Sequence, residues 1–404
     1  MHINNLQYVF LVGGRGVRLG KLTKNVPKPL IEINGKPFLY YQIQYLYKKG
    51  VRNFLLLAGY QGNKFKDFLS LIQKDMPRAR LELQIEEKPF GTGGAILNAA
   101  KSLEDEFILS NGDCFVDFSL RDLMKGKISA LKMLVHSRVS ENDRYGSLKI
   151  DNVNNKVTSF SEKNNSDKSN FINAGIYRIN KKEIFNAFPN MQSFSLEEEV
   201  FHKLVEKSAI DSSVQNLKFI DIGIKSDLNL FRENLDDFIM TNGIIFDRDN
   251  TLNYDNGYTF KKNDLIFIKN AIDFVKKCNK REIPIFIATN QAGIAHGLYT
   301  EDHFFEFMNY FEKIIKEKYE CFFTKIYFCP HHPESEILRY KKDCIYRKPN
   351  PGMLNRIVKD WNIDKDRCLF IGDKTSDKNA AKSAEINFKQ VNKERGWSKI
   401  DYNI

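Results

Sequence analysis

Two sets of residues suited to phosphate chemistry follow one another along the chain. The first begins with the glycine-rich segment LVGGRGVRL at 11–19 and continues with VPKPL at 26–30. The second begins with IIFDRDNTLN at 244–253 and ends with IGDKTSD at 371–377. Each follows an apolar run that predicts a strand, and α/β enzymes keep their chemistry in the loops after such strands. Two sets in one chain indicate two reactions on one substrate, for which we expect a sugar phosphate.

A glycine-rich loop opens the first set. Its glycines are Gly13, Gly14 and Gly16. Glycine at such a turn permits positive φ and close approach of the backbone, so successive amides can bind phosphate oxygens. Arg15 and Arg18 can bind phosphate through a bidentate fork, and Lys28, between two prolines, can place a compact charge against a triphosphate. A glycine-rich turn alone is a weak signal, and the basic residues around it strengthen it.

The pattern GGRGVRL followed by PKPL resembles the sugar-1-phosphate nucleotidyltransferases. The similarity covers residues 1–237 and continues in the family's order with GTGGA (91–95), NGD (111–113), YGSL (145–148), EK (162–163), NAGIY (173–177) and FIDIG (219–223). It implies that the glycine loop and GTGGA surround a nucleotide and that later motifs contact the sugar phosphate. The implied binding residues are Gly13, Gly14, Arg15, Gly16, Gly91, Thr92, Gly93, Gly94, Tyr145, Gly146, Glu162, Lys163 and Asn173. The implied magnesium ligands are Asp113 and Asp221. Each motif taken singly could be an ordinary turn or strand end.

The reaction implied by this resemblance needs no protein nucleophile. The anomeric phosphate attacks the α-phosphorus of a nucleoside triphosphate and pyrophosphate leaves, so catalysis consists of positioning and charge neutralisation. Carboxylate oxygens are suited to a hard cation such as magnesium. Arg18 and Lys28 are the predicted catalytic residues, because they can stabilise charge on the pentavalent phosphorus and the leaving pyrophosphate.

In the second set, Asp247 and Asp249 lie two positions apart just past a predicted strand, so their carboxylates can converge on one loop. The segment DRDNT resembles the DxDxT signature of the haloacid dehalogenase superfamily, and TNQ, RKP and GDKTSD follow in the family's order. The resemblance implies that Asp247 forms an aspartyl phosphate and that Asp249 is the general acid and then the base. The other implied residues are Thr289 and the Asn290 amide for the phosphate, Lys348 for its charge, and Asp247, Asp249 and Asp373 for magnesium, with Asp377 in support.

Within that superfamily, CPHHPE (329–334) and DCIYRKPNPGM (343–353) resemble the heptose-1,7-bisphosphate phosphatases and the histidinol-phosphate phosphatases. In those enzymes two cysteine-containing pairs bind a structural zinc. The implied ligands here are Cys329, His331 and Cys344. Tyr346 replaces the expected fourth ligand, whereas tetrahedral structural zinc wants four. Water or His332 could complete the sphere, or the metal could be absent.

Three other positions near the second set bear on the substrate. Asn250 stands in place of the family's usual glycine, and His296 stands where an arginine is common. Neither change removes a catalytic group. Arg347 would hold the substrate's other phosphate or its hydroxyls, and the alternative is an ordinary surface arginine.

Composition limits the class of protein. The 404 residues favour two or three domains, and 42% hydrophobic residues are enough for sizeable cores. The net charge of +11 could indicate nucleic-acid binding, but Lys and Arg are spread along the chain without an arginine-rich block. We therefore expect small anionic substrates and no nucleic acid. No apolar run reaches the roughly 18 residues of a membrane span, so we expect no membrane partner. Six cysteines and an N-terminus without a secretory pattern favour a reduced, cytoplasmic protein.

The elements that must position these residues alternate between strands and helices. In the first half the predicted order is strand 8–12, helix 38–49, strand 53–58, helix 63–74, strand 80–85, a loop and helix at 91–103, and strand 106–110. The pattern restarts at 243 with strands near 243–247, 284–289, 325–329 and 367–372, separated by helices near 270–279, 302–317 and 351–360. Such alternation predicts a mostly parallel sheet with helices on both faces. The expected fold is α/β, with a Rossmann-like domain at 1–237 and a haloacid dehalogenase-like domain at 238–404.

Both resemblances converge on one pathway of sugar activation. A heptose 1,7-bisphosphate would lose its 7-phosphate at the second site, and the heptose 1-phosphate would receive a nucleotidyl group at the first. The first half is most similar to D-glycero-α-D-manno-heptose-1-phosphate guanylyltransferases, which predicts GTP as donor, although no residue in the sequence decides the base by simple physics. The alternatives are another sugar or base, a histidinol-phosphate-type phosphatase, and a sugar-nucleotide-binding regulator. The intact aspartate sets speak against the regulator.

Overall fold

The computed structural model describes residues 3–137, 147–151, 153–161, 171–268, 270–392 and 397. The chain divides into two compact units, one of residues 1–47 with 51–238 and the other of residues 239–404 with 48–50. Within the described ranges, none of the helices combines the length and the apolar composition that crossing a membrane requires.

The first unit contains a nine-stranded sheet in the order β5-β4-β1-β6-β11-β8-β12-β10-β9. Two small pairs, β2 with β3 and β7 with β13, lie outside it. The strands are β1 (Gln7–Leu11), β2 (Glu32–Ile33), β3 (Lys36–Pro37), β4 (Asn53–Ala58), β5 (Arg80–Ile85), β6 (Glu106–Asn111), β7 (Cys114–Asp117), β8 (Leu131–Ser137), β9 (Ser147–Asp151), β10 (Lys156–Ser161), β11 (Phe171–Asn180), β12 (Ile210–Gln215) and β13 (Lys218–Asp221).

This sheet is mixed, where the sequence predicted a mostly parallel one. Strands β5, β4, β1 and β6 are parallel, as the alternation up to residue 111 predicted. Strand β11 then runs antiparallel between β6 and β8, and β10 is antiparallel to both β9 and β12. Antiparallel neighbours need no crossover helix. The regular strand–helix alternation therefore stops where these strands begin, and the prediction was wrong for that part of the sheet.

The helices of the first unit pack an apolar face on the sheet. In α2, for example, Phe65, Phe68 and Ile72 are buried at helical spacing. The helices are α1 (Phe38–Lys48), α2 (Phe65–Asp75), α3 (Gly91–Asn98), α4 (Leu120–Met124), α5 (Lys181–Asn186), α6 (His202–Glu206), α7 (Lys225–Glu233) and α8 (Leu235–Ile239). Short 3₁₀ turns occur at Ile3–Asn5, Val17–Thr23, Lys28–Leu30 and Gly62–Lys64, and a π-helical turn at Glu197–Phe201 leads into α6.

The second unit contains a five-stranded sheet that is parallel throughout, in the order β16-β15-β14-β17-β18. Its strands are β14 (Thr241–Phe246), β15 (Ile285–Asn290), β16 (Lys325–Cys329), β17 (Ile363–Gly372) and β18 (Asn387–Gln390). Its helices are α9 (Ala271–Lys280), α10 (Ala292–Ala295), α11 (Glu301–Tyr319), α12 (Gly352–Trp361) and α13 (Thr375–Ala384). A 3₁₀ turn at Lys262–Asp264 precedes α9, and another at Leu338–Tyr340 follows β16. The alternation predicted for this half is present, and two α/β units are confirmed.

In both sheets the predicted chemical residues follow the carboxyl ends of parallel strands. In the first unit Gly13 follows β1 and Asp113 follows β6. In the second, Asp247 follows β14 and Asp373 follows β17. Parallel strands that start at one edge finish at the same opposite edge, so residues distant in sequence meet there.

Candidate active sites

A cavity of about 700 Å³ opens at the carboxyl ends of the parallel strands of the first unit. Its lining brings together the two segments predicted to surround a nucleotide and adds Lys28 and Asp113. The predicted residues that line it are Gly13, Gly14, Arg15, Gly16, Arg18, Lys28, Gly91, Thr92 and Asp113. Gly16 and Gly91 have φ of 61° and 75°, a conformation that glycine adopts without strain. The cavity thus has the glycine backbone and the basic side chains that a nucleoside triphosphate requires.

Gly93 and Gly94 serve packing in this structure and do not line the cavity. A Cβ added to Gly93 would lie 2.2 Å from the ring of Phe194, and one added to Gly94 would lie 2.4 Å from the carbonyl oxygen of Gln192. These two glycines therefore let α3 approach the segment 192–194 closely. This close packing positions Gly91 and Thr92, and the predicted contact of Gly93 and Gly94 with substrate stays a prediction.

Lys28 lies between the two predicted magnesium ligands. Its Nζ is 2.6 Å from Asp113 Oδ2 and 3.3 Å from Asp221 Oδ1. Asp221 reaches this place because β13 pairs with β7 and sets Asp221 opposite Cys114, the neighbour of Asp113. Burial lowers the pKa of Lys28, but the two carboxylates outweigh it and the net pKa is raised. Burial alone would raise the pKa of Asp113, but the positive charge of Lys28 outweighs burial and the net pKa is lowered. Burial and the negative charge of Asp113 raise the pKa of Asp221.

The donor set at this place fits a hard cation. Ligand atoms of Asp113, Cys114 and Asp221 lie within 4.8 Å of one another. Two carboxylates favour an oxygen-preferring ion, and burial keeps the neighbouring Cys114 thiol protonated by raising its pKa far above the usual range. Asp113 and Asp221 therefore fit a magnesium ion as predicted, while the thiol is unsuited to it.

The remaining predicted residues of the first half lie elsewhere or outside the described ranges. The Asn173 side chain donates to the hydroxyl of Tyr177 at 2.7 Å and accepts from the Gly175 amide at 2.9 Å, and it is not among the cavity-lining residues. Its predicted contact with the sugar phosphate stays a prediction. Tyr145, Gly146, Glu162 and Lys163 lie outside the described residues.

Three carboxylates that the sequence did not single out also line the cavity, those of Glu86, Glu87 and Glu197. Glu197, in the π-helical turn, accepts from the hydroxyls of Thr92 at 2.8 Å and Ser195 at 3.1 Å. Glu86 directly follows β5. The position after the third parallel strand was the available signal for Glu86, but a single glutamate without a motif does not stand out in a chain with 51 acidic residues.

In the second unit, a buried lysine joins the predicted nucleophile to a second aspartate. Lys348 Nζ lies 2.7 Å from Asp247 Oδ1 and 2.7 Å from Asp377 Oδ1, and it donates to the carbonyl of Ala288 at 2.8 Å. Burial raises the pKa of Asp247 to about 7, Lys348 opposes this, and Asp377 and Asp249 add to it. A cationic environment is therefore needed to keep Asp247 anionic at neutral pH.

The predicted acid–base residue, Asp249, is held by its sequence neighbour. The fully buried Arg248 donates to both oxygens of Asp249, from Nε at 2.8 Å and from Nη2 at 2.9 Å. Gln291 donates to the same carboxylate at 3.1 Å and also to the Thr289 hydroxyl at 2.8 Å. Asn250, which replaces the usual glycine, has φ of 57°, a left-handed conformation that asparagine tolerates. The substitution therefore keeps the turn that orients the two aspartates.

The carboxylates that converge on a possible cation are Asp247, Asp373 and Asp377, whose ligand atoms lie within 4.8 Å of one another. The carboxylate of Asp249 is not in this group, and its predicted place among the magnesium ligands stays a prediction. Among the described residues, buried Asp373 Oδ1 has no hydrogen-bond partner. A buried, unpaired carboxylate oxygen beside two other carboxylates fits an oxygen-preferring cation.

The other predicted phosphate-binding residues lie around Lys348. Asn290 exchanges two hydrogen bonds with the backbone of Lys348, at 2.9 and 3.0 Å, and so joins β15 to the loop that carries the lysine. Thr289 is fully buried on β15. Arg347 donates to the carbonyl of His331 at 3.2 Å, which ties it to the cysteine loop. Its contact with substrate stays a prediction.

Cys329, His331 and Cys344 are brought together as the sequence predicted. Their ligand atoms lie within 4.8 Å of one another, and Cys329 Sγ is 3.8 Å from His331 Nδ1. Two thiols and an imidazole fit zinc by ligand type. In the part of the chain that the structure describes, His332 does not belong to this group. The His332 ring instead packs 4.9 Å from that of His296, and its Nδ1 accepts from the Glu334 amide.

Comparison with known proteins finds a family model and relatives for each half of the chain. The family model described as "Nucleotidyl transferase" matches residues 7–236, and that described as "Polynucleotide kinase 3 phosphatase" matches residues 242–401. The D-glycero-alpha-D-manno-heptose 1-phosphate guanylyltransferase of Campylobacter jejuni is 36% identical over 55% of this chain and 96% of its own length. The D-glycero-beta-D-manno-heptose-1,7-bisphosphate 7-phosphatase of Haemophilus influenzae is 36% identical over 36% of this chain and 79% of its own length.

A solved structure is also similar to the first half of the chain. The crystal structure of HddC from Yersinia pseudotuberculosis has 34% sequence identity and a TM-score of 0.50, and the match covers 57% of this chain and 99% of that one. The match therefore spans essentially the whole of that chain and supports the fold of the first unit.

Proposed function

Because the chain belongs to the nucleotidyl transferase family through residues 7–236, and to the heptose-1,7-bisphosphate 7-phosphatases through its second half, we propose that it is a bifunctional enzyme of heptose activation. It removes the 7-phosphate from D-glycero-D-manno-heptose 1,7-bisphosphate and then transfers GMP from GTP to the heptose 1-phosphate. The products are phosphate, GDP-D-glycero-α-D-manno-heptose and pyrophosphate. We assign transfer to a domain at 1–237 and hydrolysis to a domain at 238–404, and expect both to act in the cytoplasm, where GTP is available.

Hydrolysis proceeds through Asp247. Its carboxylate attacks the phosphorus of the 7-phosphate, an aspartyl phosphate forms, and the 7-hydroxyl leaves with a proton from Asp249. Asp249 then takes a proton from the water that hydrolyses the intermediate. Lys348, 2.7 Å from Asp247, lowers the cost of bringing an anionic phosphate against an anionic nucleophile. A magnesium ion held by Asp247, Asp373 and Asp377 would supply further positive charge at the phosphate.

Transfer requires positioning and charge neutralisation and needs no protein nucleophile. The phosphate of heptose 1-phosphate attacks the α-phosphorus of GTP, and pyrophosphate leaves from the opposite side. Glycine amides of the loop at 13–16 hold the triphosphate, and Arg18 and Lys28 neutralise charge that develops on it. A magnesium ion held by Asp113 and Asp221 would screen the same charge.

The anomer follows from the order of the steps. Hydrolysis at C7 leaves the anomeric carbon untouched, so one anomer must pass through both sites. The relative of the first half is named for the α-anomer, whereas relatives of the second half are named for the β-anomer, as in Haemophilus influenzae, or for the α-anomer, as in Burkholderia mallei. We propose the α-anomer, because transfer at C1 involves the anomeric phosphate directly and hydrolysis at C7 does not.

The observation that carries the proposal is the presence, in one chain, of both carboxylate–lysine sites together with similarity to both enzymes. The test supplies purified protein with α- or β-heptose 1,7-bisphosphate, magnesium and each nucleoside triphosphate in turn. Release of one phosphate and one pyrophosphate per α-heptose, with GTP giving GDP-heptose, is the expected result. Pyrophosphate release with another nucleotide alone, or with the β-anomer alone, would contradict the stated product.

A further inference from the structure

A buried arginine lies between the two aspartates of the second site, and the proposed chemistry gives it no task. Arg248 follows Asp247, precedes Asp249 and is fully buried. Its guanidinium faces α11, where the guanidinium carbon lies 5.0 Å from the ring centre of Phe307 and 5.7 Å from that of Phe304. A buried arginine is costly unless its charge is paired and its N–H groups are hydrogen-bonded. The partners of the guanidinium therefore decide what this side chain does.

The guanidinium holds Asp249 by both carboxylate oxygens. Its Nε donates to Oδ1 at 2.8 Å and its Nη2 donates to Oδ2 at 2.9 Å, while Nη2 also lies 2.7 Å from Oδ1. Nη2 donates in addition to the carbonyl of Thr259 at 2.9 Å, and Nη1 lies 3.6 Å from the sulfur of Met308. Two N–H groups on one planar fork fix a carboxylate in position and in plane, which a single donor cannot do. Because Thr259 and α11 anchor the guanidinium from other sides, the fork itself is held.

Amide donors complete the surroundings of the same carboxylate. Gln291 donates to Asp249 Oδ2 at 3.1 Å and to the Thr289 hydroxyl at 2.8 Å, and Asn253 donates to Asp249 Oδ1 at 3.4 Å. A carboxylate has about four acceptor sites, so a proton that arrives on Asp249 has to displace one donor. Hydrogen bonds from a charged fork are roughly twice as strong as those from neutral amides. An amide therefore gives way, and the arginine keeps its hold while the proton comes and goes.

The proposed hydrolysis needs Asp249 at the same place twice. In the first step an oxygen of Asp247 attacks the 7-phosphorus, the bond from phosphorus to the 7-oxygen breaks, and that oxygen takes the proton of Asp249. In the second step a water oxygen attacks the phosphorus and gives a proton to Asp249, and the bond from phosphorus to Asp247 breaks. In each step the attacking and leaving oxygens lie in line, so the 7-oxygen and the water both lie opposite Asp247. One fixed carboxylate position serves both proton transfers.

We propose that Arg248 is a positioning residue for both steps, which holds Asp249 where first the 7-oxygen and then the attacking water lie. The inference rests on the proposed hydrolysis, because it takes Asp247 and Asp249 in the roles given there. A misplacement of about 1 Å can cost a reaction about a hundredfold in rate. Loss of the fork should therefore slow the two proton transfers and leave the attack by Asp247 intact.

The compound p-nitrophenyl phosphate separates the two steps, because nitrophenolate leaves without a proton. Arg248→Lys keeps the charge and loses the fork. With the heptose bisphosphate we expect kcat to fall about a hundredfold, with KM within about threefold of wild type. With the nitrophenyl ester, formation of the aspartyl phosphate should stay within about threefold of wild type, whereas its hydrolysis should slow about a hundredfold. One nitrophenolate per protein is then released in a burst, and mass spectrometry of acid-quenched protein finds phosphate on Asp247.

A double-mutant cycle distinguishes positioning from support of the fold. Asp249→Asn alone should slow turnover of the bisphosphate by about a hundredfold to ten-thousandfold. Adding Arg248→Lys to it should change the rate by less than about threefold, because a residue that acts through Asp249 has nothing left to position. Arg367→Lys, an exposed change on β17, is the matched control and should behave as wild type. Thermal unfolding shows whether each variant is folded, and Arg248→Gln, which offers one neutral donor, takes the place of Arg248→Lys in both assays if that variant is not.

The outcomes separate the two proposals. Equal losses with the bisphosphate and the nitrophenyl ester, without phosphate on Asp247, overturn the positioning role even if the wild type hydrolyses the bisphosphate. Independent, multiplying losses in the double variant overturn it as well, because they show that Arg248 acts by another route. A wild type that releases no phosphate from the heptose bisphosphate overturns the proposed hydrolysis, whatever the variants do with the nitrophenyl ester.

Discussion

Each unit of the chain holds one buried lysine between two aspartates, but the two clusters differ in exposure. Around Lys28, the side chains of Asp113 and Asp221 are 32% and 18% exposed. Around Lys348, Asp247 and Asp377 are 6% and 1% exposed. The Lys28 cluster lines a cavity of about 700 Å³. The Lys348 cluster is instead buried between strand ends and the loop whose backbone at Lys348 is hydrogen-bonded to the Asn290 side chain.

This difference corresponds to the two kinds of catalysis. Nucleotidyl transfer joins two substrates, so its charged groups must face a wide space and serve by position and charge. Phosphate-ester hydrolysis by a covalent route needs a carboxylate that attacks and then releases, so the nucleophile is shielded and its charge is controlled by one lysine. The same two residue types therefore do different work because their surroundings admit different amounts of water.

The largest expected loss of activity comes from a substitution in the Lys348 cluster. Asp247→Asn keeps the shape but removes the anionic nucleophile, so phosphate release should fall by about four orders of magnitude or more, as for other essential nucleophiles. Transfer from GTP to supplied heptose 1-phosphate should persist. With the bisphosphate and GTP as inputs, GDP-heptose should form only after an independent phosphatase is added. Asp366→Asn, an exposed change on β17, is the control and should behave as wild type. Conversion of bisphosphate to GDP-heptose by Asp247→Asn alone would refute the division of labour.

Substitutions in the Lys28 cluster should lower nucleotidyl transfer and leave hydrolysis unchanged. Lys28→Met removes the positive charge beside Asp113, and we expect pyrophosphate release to fall by about a hundredfold to a thousandfold. Asp113→Asn should act similarly through loss of a cation ligand. Phosphate release from the bisphosphate should be unchanged in both, and Lys66→Ala, an exposed lysine on α2, should change neither activity. Wild-type transfer rates in Lys28→Met and Asp113→Asn together would remove the cluster from the catalytic site.

The difference in exposure also predicts a difference in stability. Lys348→Met leaves Asp247 and Asp377 buried without their cation, which should cost about 3–5 kcal/mol of unfolding free energy. Both tryptophans of the chain, Trp361 and Trp397, belong to the second half, so urea unfolding followed by tryptophan fluorescence reports on it selectively. Lys378→Met, an exposed lysine on α13, is the matched control. Equal midpoints for Lys348→Met and its control would show that the enclosed pair does not stabilise this unit.

Short motifs predicted the residues that follow parallel strands and did less well elsewhere. Asp113 and Asp247 follow parallel strands, because sheet topology carries such strand ends to one edge. Lys28, Asp221 and Lys348 also lie in the predicted groups, but Asp221 ends the antiparallel strand β13 and neither lysine directly follows a strand. The sequence could not show that Gly93 and Gly94 face Phe194 and Gln192, since packing and phosphate binding both call for glycine. It did not show either that Arg248, between the two aspartates of DRD, donates to both oxygens of the Asp249 carboxylate.

Glu86 and the mixed sheet were missed for a related reason. The burial of one glutamate oxygen depends on Gly13 and Gly59, two segments away in sequence, and leaves no local pattern. Strand β11 reads as an apolar run whether its neighbours are parallel or antiparallel, so its orientation between β6 and β8 had no sequence signal.

The smallest expected effect concerns the cysteine loop, where Tyr346 stands in place of the fourth ligand that the resemblance implies. Cys329, His331 and Cys344 give zinc three protein ligands, and Tyr346 stands where the resemblance predicts a fourth. Zinc should bind, but a chelator should remove it more readily than from a four-ligand site. Tyr346→Cys should raise zinc affinity by about tenfold or more, measured as metal retained against increasing chelator, with little change in phosphate release. Ile345→Cys adds a thiol at the neighbouring exposed position and should not raise affinity, which separates ligation from a general effect of added cysteine. Stoichiometric zinc that resists chelator in the wild type would instead show that a fourth protein ligand completes the site, and the contrast with the oxygen-lined clusters around Lys28 and Lys348 would then be one of ligand type alone.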